Sequence, residues 1–366
     1  MQIQFVRKTA ISFLAAAALG VTAAYSQAPA GMVFTMTNAA AGNEVYAYAR
    51  AANGVLTWAG SYATGGTGTG AGLGSQGSLT LSQHRQWLLA VDAGSNDVAV
   101  FSVTPAGLVL TDTAATGGTM PVSVTASEGL VYVVNSGSDN IAGFSLSPSG
   151  KLTALAGSMQ PLSGAGVGPA QISFDPAGDL LVVTEKNTNL IDTFRIGAGG
   201  VAMPAQSMTS HGMTPYGFAF SPRNQLFVSE AFGGATNASA VSSYRLDHDD
   251  ALILVTGSEL DEETAACWTV TDGGGRFVYV ANTGSNTLSS YLVEFNGELA
   301  LLQSQAAQTG LTPIDLAIST GGTFIYTLGS GDGSITGDAV EPDGILVGFS
   351  SGVTGLPAGG IGMAAW

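Results

Sequence analysis

Cysteine is almost absent: the 366 residues contain one, Cys267. No internal disulfide can form, so the fold must stand on its own packing. Cys267 lies in TAACWTV, at the start of an apolar strand, with no activating base near it in sequence; this reads as a buried, inert thiol. Basic residues are nearly as scarce. Ten Lys and Arg face 26 Asp and Glu, giving a formal net charge of −16, and such a body repels nucleic acid and anionic membrane surfaces, which are gripped through phosphates. DNA and RNA partners are excluded on that ground. Beyond the first residues no run approaches the ~20 apolar residues of a membrane span, so no span is expected. No amphipathic helix is evident, and HExxH and paired CxxC are both missing.

The N-terminus carries the one export signal. Arg7 and Lys8, the apolar stretch from Ile11 to Val21 and small residues around Ala23, Ala24 and Ser26 read as a signal peptide over residues 1–26, leaving 27–366 as one domain. Losing those two basic residues takes the charge from −16 to −18. A periplasmic or secreted protein is expected.

What the sequence has in plenty is glycine, 52 residues, and repetition. In GGRFVYVANTGSNTLSSYLV, residues 274–293, a β-branched and aromatic run, an Asn/Gly/Ser turn and a second alternating run read as a β-hairpin. Before each hairpin comes another strand pattern, usually led by Pro. These begin at Gly77, Pro121, Pro169, Pro215, Ala265 and Pro313, spaced 44, 48, 46, 50 and 48 residues apart. Periods of about 40 to 50 with several short strands per unit mark propeller blades. Each unit holds four strands, here numbered from the innermost outward, and a single blade cannot bury its faces alone, so the blades must close into a ring.

The ends of the chain show the closure. MVFTMTN, EVYAYAR and VLTWAGS supply the second to fourth strands of a first blade, and GLPAGGIGMAAW, from Gly355, supplies its missing innermost strand. The expected fold is all-β: a seven-bladed β-propeller of four-stranded antiparallel blades, closed by the C-terminal strand joining the first blade. Two connections from second to third strand read as expanded, AFGGATNASA after Glu230 and GSGDGSITGDAVEPDG after Leu328. Loops grouped on one face decorate a binding side or are tolerated drift.

The last residue of each second strand gives one position per blade: Asn38, Asp92, Asn135, Glu185, Glu230, Asn282 and Gly329. These are expected to encircle the mouth of the central channel. Asn and Asp there can simply cap the following turn. The functional reading is a ring of oxygen donors for a sugar-like or lactone ligand or a hard cation such as calcium. Glutamate caps turns less well, so Glu185 and Glu230, from adjacent blades, are the candidate acid and base. Of the three histidines, His84 falls on the opposite face and His248 on an exposed turn, while His211, in SHGMT, reaches the functional face. It joins the catalytic candidates, with a plain surface histidine as the alternative. Lys186 and Arg195 are the basic groups available for a substrate carboxylate, although Lys186 could instead pair with surface acids. GGTGTGAGLGSQG, from Gly65, lacks a following Lys-Ser/Thr and reads as a linker between blades.

FVYVANTGSNTLSSY and LVYVVNSGSDNIAGF resemble the YVTN-type propeller repeat. Over residues 33–365 the series GPAQISFDPAGDLLVVTEK, FVSEAFGG, ASAVSSYRL, TAACWTVT, PIDLAIS and GLPAGGIGMAA resembles the lactonase family of seven-bladed propellers, which is similar to 6-phosphogluconolactonase and carboxymuconate cyclases. The resemblance implies that fold and a lactone-type substrate. Enzymes of that family tend to carry His-rich segments and channel arginines for phosphate or carboxylate groups; here VGPAQ (167–171) and TAACW (264–268) carry neither. The expectation is therefore an exported lactonase-like propeller binding a small neutral or cationic ligand at the channel mouth and hydrolysing a lactone there. A non-catalytic propeller holding a protein or glycan is the rival.

Overall fold

The computed structural model describes residues 29–247 and 251–366, together with Met1. The signal peptide expected over 1–26 and His248 fall outside the described residues, Met1 apart. Seven antiparallel sheets form the blades, and the hairpin of residues 274–293 becomes the second and third strands of blade 6, Phe277–Asn282 and Thr287–Val293. Second strands are buried on both faces: Trp87–Asp92, Leu180–Glu185, Gln225–Glu230 and Phe277–Asn282 have no exposed residue. That explains why they read as continuous β-branched and aromatic runs, with neighbouring blades stacked on either side. Outer strands, such as Leu56–Ala63, are largely exposed.

Blade 1 is closed as the repeat requires. The C-terminal strand Ile361–Ala365 pairs antiparallel with Gly31–Met36, Phe34 opposite Ala364 and Thr35 opposite Met363. Arg50 reinforces the seam, donating from Nε to the Trp366 carbonyl (3.2 Å) and from Nη2 to the Ala30 carbonyl (3.0 Å). The seam ties together two ends of one sheet that would otherwise present free edges.

Side chains of the repeat bolt blade to blade on both faces. On one, Asn96, Asn189 and Asn286 close the hairpin turns with φ of 67°, 56° and 60°. Each accepts, at 2.7 Å, the backbone N–H of the residue that leads into the next blade: Met120, Thr214 and Thr312. On the other face Tyr132, Tyr279 and Tyr326 donate their hydroxyls to the carbonyls of Gly200, Gly344 and Gly54 in the blades that follow. The Asn of the turn signature is thus a latch as well as a turn residue.

One local expectation is corrected. The stretch after Leu328 is no long loop: Ser334–Val340 is the third strand of blade 7, paired with Phe324–Gly329, and the turn between them is short. The expansion in blade 5 stands, residues 231–239 forming a loop with one 3-10 turn at Phe232–Gly234. In blade 3 the outer strand breaks into Leu152–Ala154 and Gln160–Pro161, both paired with Asn140–Leu146.

Innermost strands leave one backbone edge facing the axis, and those groups need partners. Blade-to-blade side chains supply them. Ser123 accepts from Ile172 N–H (3.1 Å), and Gln171 accepts from Phe218 N–H (2.7 Å) while donating to its carbonyl (3.1 Å). Asp315 accepts from Met363 N–H (3.0 Å). Blade 5 has Gly217 at the same position, with no side chain to offer blade 6. Gln76 fills that place from across the ring, accepting from Thr269 N–H (2.9 Å) and donating to its carbonyl (2.7 Å). A Cβ on Gly217 would lie 2.0 Å from Gln76 Oε1 and 2.5 Å from the Cys267 carbonyl oxygen, so the position admits only glycine.

Gln76 gets there because the glycine-rich linker does more than join blades 1 and 2. Ser75 donates to the Val122 carbonyl of blade 3 (2.8 Å), Gln76 N–H to the Ala170 carbonyl of blade 4 (2.9 Å), and Trp268 Nε1 of blade 6 donates to the Ser75 carbonyl (3.0 Å). A segment bonded to blades 3, 4 and 6 lies across the axis. Residues 73–77 are therefore a strap over the channel, on the face that carries the hairpin turns.

Candidate functional site around the channel

The seven ring positions do not open onto the channel mouth, contrary to expectation. Asp92, Asn135, Glu185, Glu230 and Asn282 are each fully buried, and Gly329 ends its strand in the same register. Asn38 lies two residues beyond the end of its strand, Gly31–Met36, with φ 50°, and holds the following connection through Thr69 N–H (3.0 Å) and the Ala71 carbonyl (2.6 Å). The connection from the preceding blade folds over the ring residue. Gly66 covers Asp92, Gly118 covers Asn135 and Gly212 covers Glu230, so closely that a Cβ on any of them would lie within 2.5 Å of the buried side chain. Gly three residues before the strand-opening Pro, as in GTMP, GMTP and GLTP, was the sequence signal for this cover.

Under that cover each acid has its own surroundings. Asp92 accepts from Asn43 Nδ2 (2.9 Å) and Thr64 Oγ1 (2.8 Å) through one oxygen, while the other meets no donor. Burial pushes its carboxyl up to about 6. Glu185 accepts from Ser163 N–H (3.0 Å), Ser163 Oγ (2.5 Å) and Thr188 Oγ1 (2.5 Å). Burial pushes it up, but hydrogen bonds from Asp192, Ser163 and Thr188 outweigh this and hold it below the usual carboxylate range. Asp192, on the adjacent strand, is pushed up to about 7 by burial and by Glu185 beside it. Neither Asp192 oxygen meets a donor of the chain, so burial and the neighbouring Glu185 together disfavour its ionised form.

Glu230 brings two catalytic candidates together. Its carboxylate accepts from Gly212 N–H (2.8 Å), Ser242 Oγ (2.5 Å) and Ser258 Oγ (2.6 Å). Ser258 also lies 3.0 Å from His211 Nδ1. Because the carboxylate can only accept, the Ser258 proton points to Glu230 and His211 supplies its own Nδ1–H, leaving Nε2 as the acceptor. His211 is exposed, so Glu230, Ser258 and His211 form a chain from the interior to the surface. Ser258, with φ 44°, was missed in the sequence; only a count of outer-strand residues back from the turn could have located it.

The basic candidates part company. Lys186 stands with its amine 4.8 Å from the centroid of the Tyr216 ring and donates to the Gly74 carbonyl of the strap. Burial draws the amine down to about 8. Arg195 ends the third strand of blade 4 on the opposite face, beside Met203 and Gln206. Asn135 donates to Asn140 Oδ1 (2.9 Å) and Asn282 to Ser289 Oγ (2.8 Å); these are contacts within a blade. Cys267 is buried, its thiol pushed up to about 12 by desolvation.

On the other side of the strap the axis opens into a cavity of about 260 Å³, floored by Gln76 and lined by innermost strands, with Thr80, Thr125, Gln171 and Ser173 among its polar groups. Residues at the strap end are buried, whereas Leu81, Ser173 and Ala365 at the far end are partly exposed, so the cavity opens on the face opposite the strap. Asp315 is the one ionisable group in its lining. Its carboxyl accepts from Leu316 N–H (2.8 Å) and Met363 N–H (3.0 Å), and burial drives it well above the usual range. Among the described residues no three His, Cys, Asp or Glu side chains gather as a metal cluster would. No helix among them is long and apolar enough to cross a membrane.

The family described as "Lactonase, 7-bladed beta-propeller" matches residues 34–167. No curated protein matches the chain by sequence. Several solved structures share the fold. A Lactobacillus plantarum protein is 20% identical with a TM-score of 0.74, over 92% of this chain and 99% of its own. A Bacteroides fragilis protein whose name carries 6-phosphogluconolactonase as a provisional activity is 16% identical with a TM-score of 0.74, over 93% and 99%. The periplasmic gluconolactonase of Pseudomonas aeruginosa is 15% identical with a TM-score of 0.69, over 92% and 98%. The seven-bladed propeller read from the repeats is borne out, and the resemblance to the lactonase family is supported over residues 34–167. At these identities the structural likeness speaks for the fold alone.

Proposed function

We propose that the protein is an exported lactonase-like propeller whose axial cavity takes a small, uncharged, oxygen-rich ring of the lactone or sugar class, and that it hydrolyses the lactone. The observation that carries this is the lining of the cavity: hydroxyls and amides set among apolar side chains, no cation, and a single acid, Asp315, whose carboxyl burial raises well above the usual range. A phosphorylated or carboxylated substrate would find no countercharge there. A neutral ring finds hydrogen-bond partners in the hydroxyls of Thr80, Thr125 and Ser173, the Gln171 amide being engaged by the Phe218 backbone, and the cavity is of single-ring size. The gluconolactonase and provisional 6-phosphogluconolactonase names among the structural neighbours support the lactone class, and the absence of channel cations favours its unphosphorylated members.

A non-catalytic propeller holding a protein or glycan is supported by a different observation: the oxygens of Glu185 and Glu230 are already occupied by donors of the chain itself. One experiment separates the readings. The native protein is assayed against a panel of neutral lactones, with added calcium and with chelator, beside Thr80→Trp, which fills the cavity. Turnover by the native protein that Thr80→Trp abolishes supports the proposal, and its dependence on calcium tests for a cation. Saturable sugar or lactone binding without turnover leaves the cavity but removes the enzyme. Neither binding nor turnover sinks the reading, and turnover that survives Thr80→Trp moves the chemistry elsewhere, Glu230→Gln and His211→Ala being the next variants.

A further inference from the structure

The strap hides a second place where polar groups converge, on the far side of Gln76 from the axial cavity. Lys186 donates to the Gly74 carbonyl, and a methyl group built on Gly74 would lie 3.4 Å from the Lys186 amine and 3.3 Å from the Tyr216 hydroxyl. A cation and a phenol thus point at one residue of the strap. In a chain with 26 acidic residues, no carboxylate among the described residues forms a salt bridge with this amine. A half-buried ammonium whose partners are a neutral carbonyl and a ring face is incompletely compensated. Desolvation has accordingly drawn its proton affinity down. What would complete it is an anionic oxygen, for which the Gly74 carbonyl is the nearest equivalent the chain itself provides.

The strap is lightly held. Gly74 and Gly77 lie within it, Gly70 and Gly72 lead into it, and Leu73 is its one buried apolar side chain, beside the buried Ser75 and Gln76. Its hold on the ring is a handful of hydrogen bonds, with the Gln76 pair to Thr269 at the centre. Exchanging those bonds for water is inexpensive beside unpacking a core segment.

We infer that residues 73–77 are a displaceable lid over a second ligand site, built on the Lys186 amine and the Tyr216 hydroxyl, which takes a small carboxylate in place of the Gly74 carbonyl. The site lies on the opposite side of Gln76 from the axial cavity, whose floor moves with the lid. Carboxylate binding and lid closure are mutually exclusive, because both use the same ammonium. The ligand therefore holds the strap open, and tightening the strap weakens the ligand.

Lysine chemistry tests this cleanly, since the sequence has lysines only at 8, 151 and 186 and the Lys151 side chain is 61% exposed. Reductive methylation with formaldehyde, read by peptide mass spectrometry, should modify Lys186 at least tenfold more slowly than Lys151 in the native protein. Gln76→Ala removes the central anchor and should raise the Lys186 rate at least tenfold with Lys151 unchanged. Ser75→Ala removes the strap's bond to the Val122 carbonyl of blade 3 and should also raise the rate, giving a second route if Gln76→Ala folds poorly. In whichever variant opens, propionate should slow Lys186 modification severalfold where glycerol does not. A native Lys186 as reactive as Lys151, or no acceleration in either folded variant, would overturn the lid; acceleration without protection by propionate would overturn the carboxylate site.

Discussion

Blades 4 and 5 place a glutamate at the same position, Glu185 and Glu230, and give it different company. Two residues into the third strand, blade 5 has Ser242, which donates to Glu230 at 2.5 Å, and blade 4 has Asp192, whose ionised form burial and Glu185 disfavour. Blade 6 carries Ser289 at this place, accepting from Asn282. The repeat decides where a buried polar group stands. The residue opposite decides whether it is a fixed hydrogen-bond network or a titrating pair. The comparison also suggests why a shared sequence position need not mean a shared function, since only the blade 5 network continues through Ser258 to a surface histidine.

The largest expected effect breaks the symmetry directly. Glu230→Ala strands three donors, Gly212 N–H, Ser242 Oγ and Ser258 Oγ, each costing about 1–3 kcal/mol if left unsatisfied, so a loss of about 3 kcal/mol or more is expected in denaturant unfolding. Glu185→Ala also strands three donors but relieves Asp192 of its carboxylate neighbour, and should cost clearly less at pH 8. Equal losses there would mean that the Asp192 pair carries no electrostatic penalty.

A smaller effect sharpens the comparison by copying blade 5 into blade 4. Asp192 has its carboxyl raised from 3.8 to about 7, so between about pH 4 and pH 7 the unfolded chain releases this proton while the folded chain keeps it. Its contribution to stability therefore falls as pH rises through that window and levels off above it. Asp192→Ser abolishes that decline, and the stability of the variant relative to the native protein should improve from pH 4 to about pH 7 and then level off in melts across the range. A constant difference would rule out the raised Asp192 carboxyl. Smallest of all is Ser258→Ala, expected to cost about 1 kcal/mol and to release His211 from its Nδ1–H form, visible as a changed ring-nitrogen tautomer balance by 15N NMR. An unchanged balance would mean that the hydroxyl does not orient the ring.

Much of the architecture was legible because it is repeated. The roughly 48-residue period, the strand alternation and the split first blade reflect strong local preferences that agree with one another. The failures lie where local pattern and pairing compete. GSGDGSITGDAVEPDG reads as loop because Gly and Asp dominate it, yet Ser334–Val340 is held as a strand by its neighbours Phe324–Gly329 and Leu346–Val353. Asn38 was aligned by residue type, and the strand ends two residues earlier. The ring positions were found in six blades of seven, but the direction of their side chains was not, since it depends on a covering connection from another blade. Asp315 stands in the strand Pro313–Ile318 and lines the axial cavity, and the glycine-rich segment that reads as a linker supplies the strap.

The sequence by itself determined a closed seven-bladed ring, because period, strand polarity and the complementary ends leave little else that buries every blade. It also determined which residue stands at each repeated position. Only the tertiary structure decided what those residues meet. Gln76 bonds Thr269, 193 residues away in sequence, because the ring brings blade 6 to the far side of the axis and Gly217 leaves a gap there. Lys186 meets Gly74, and His211 meets Glu230 through Ser258, for the same kind of reason. A period sets positions along a blade, whereas partners across the axis exist only once the ring has closed.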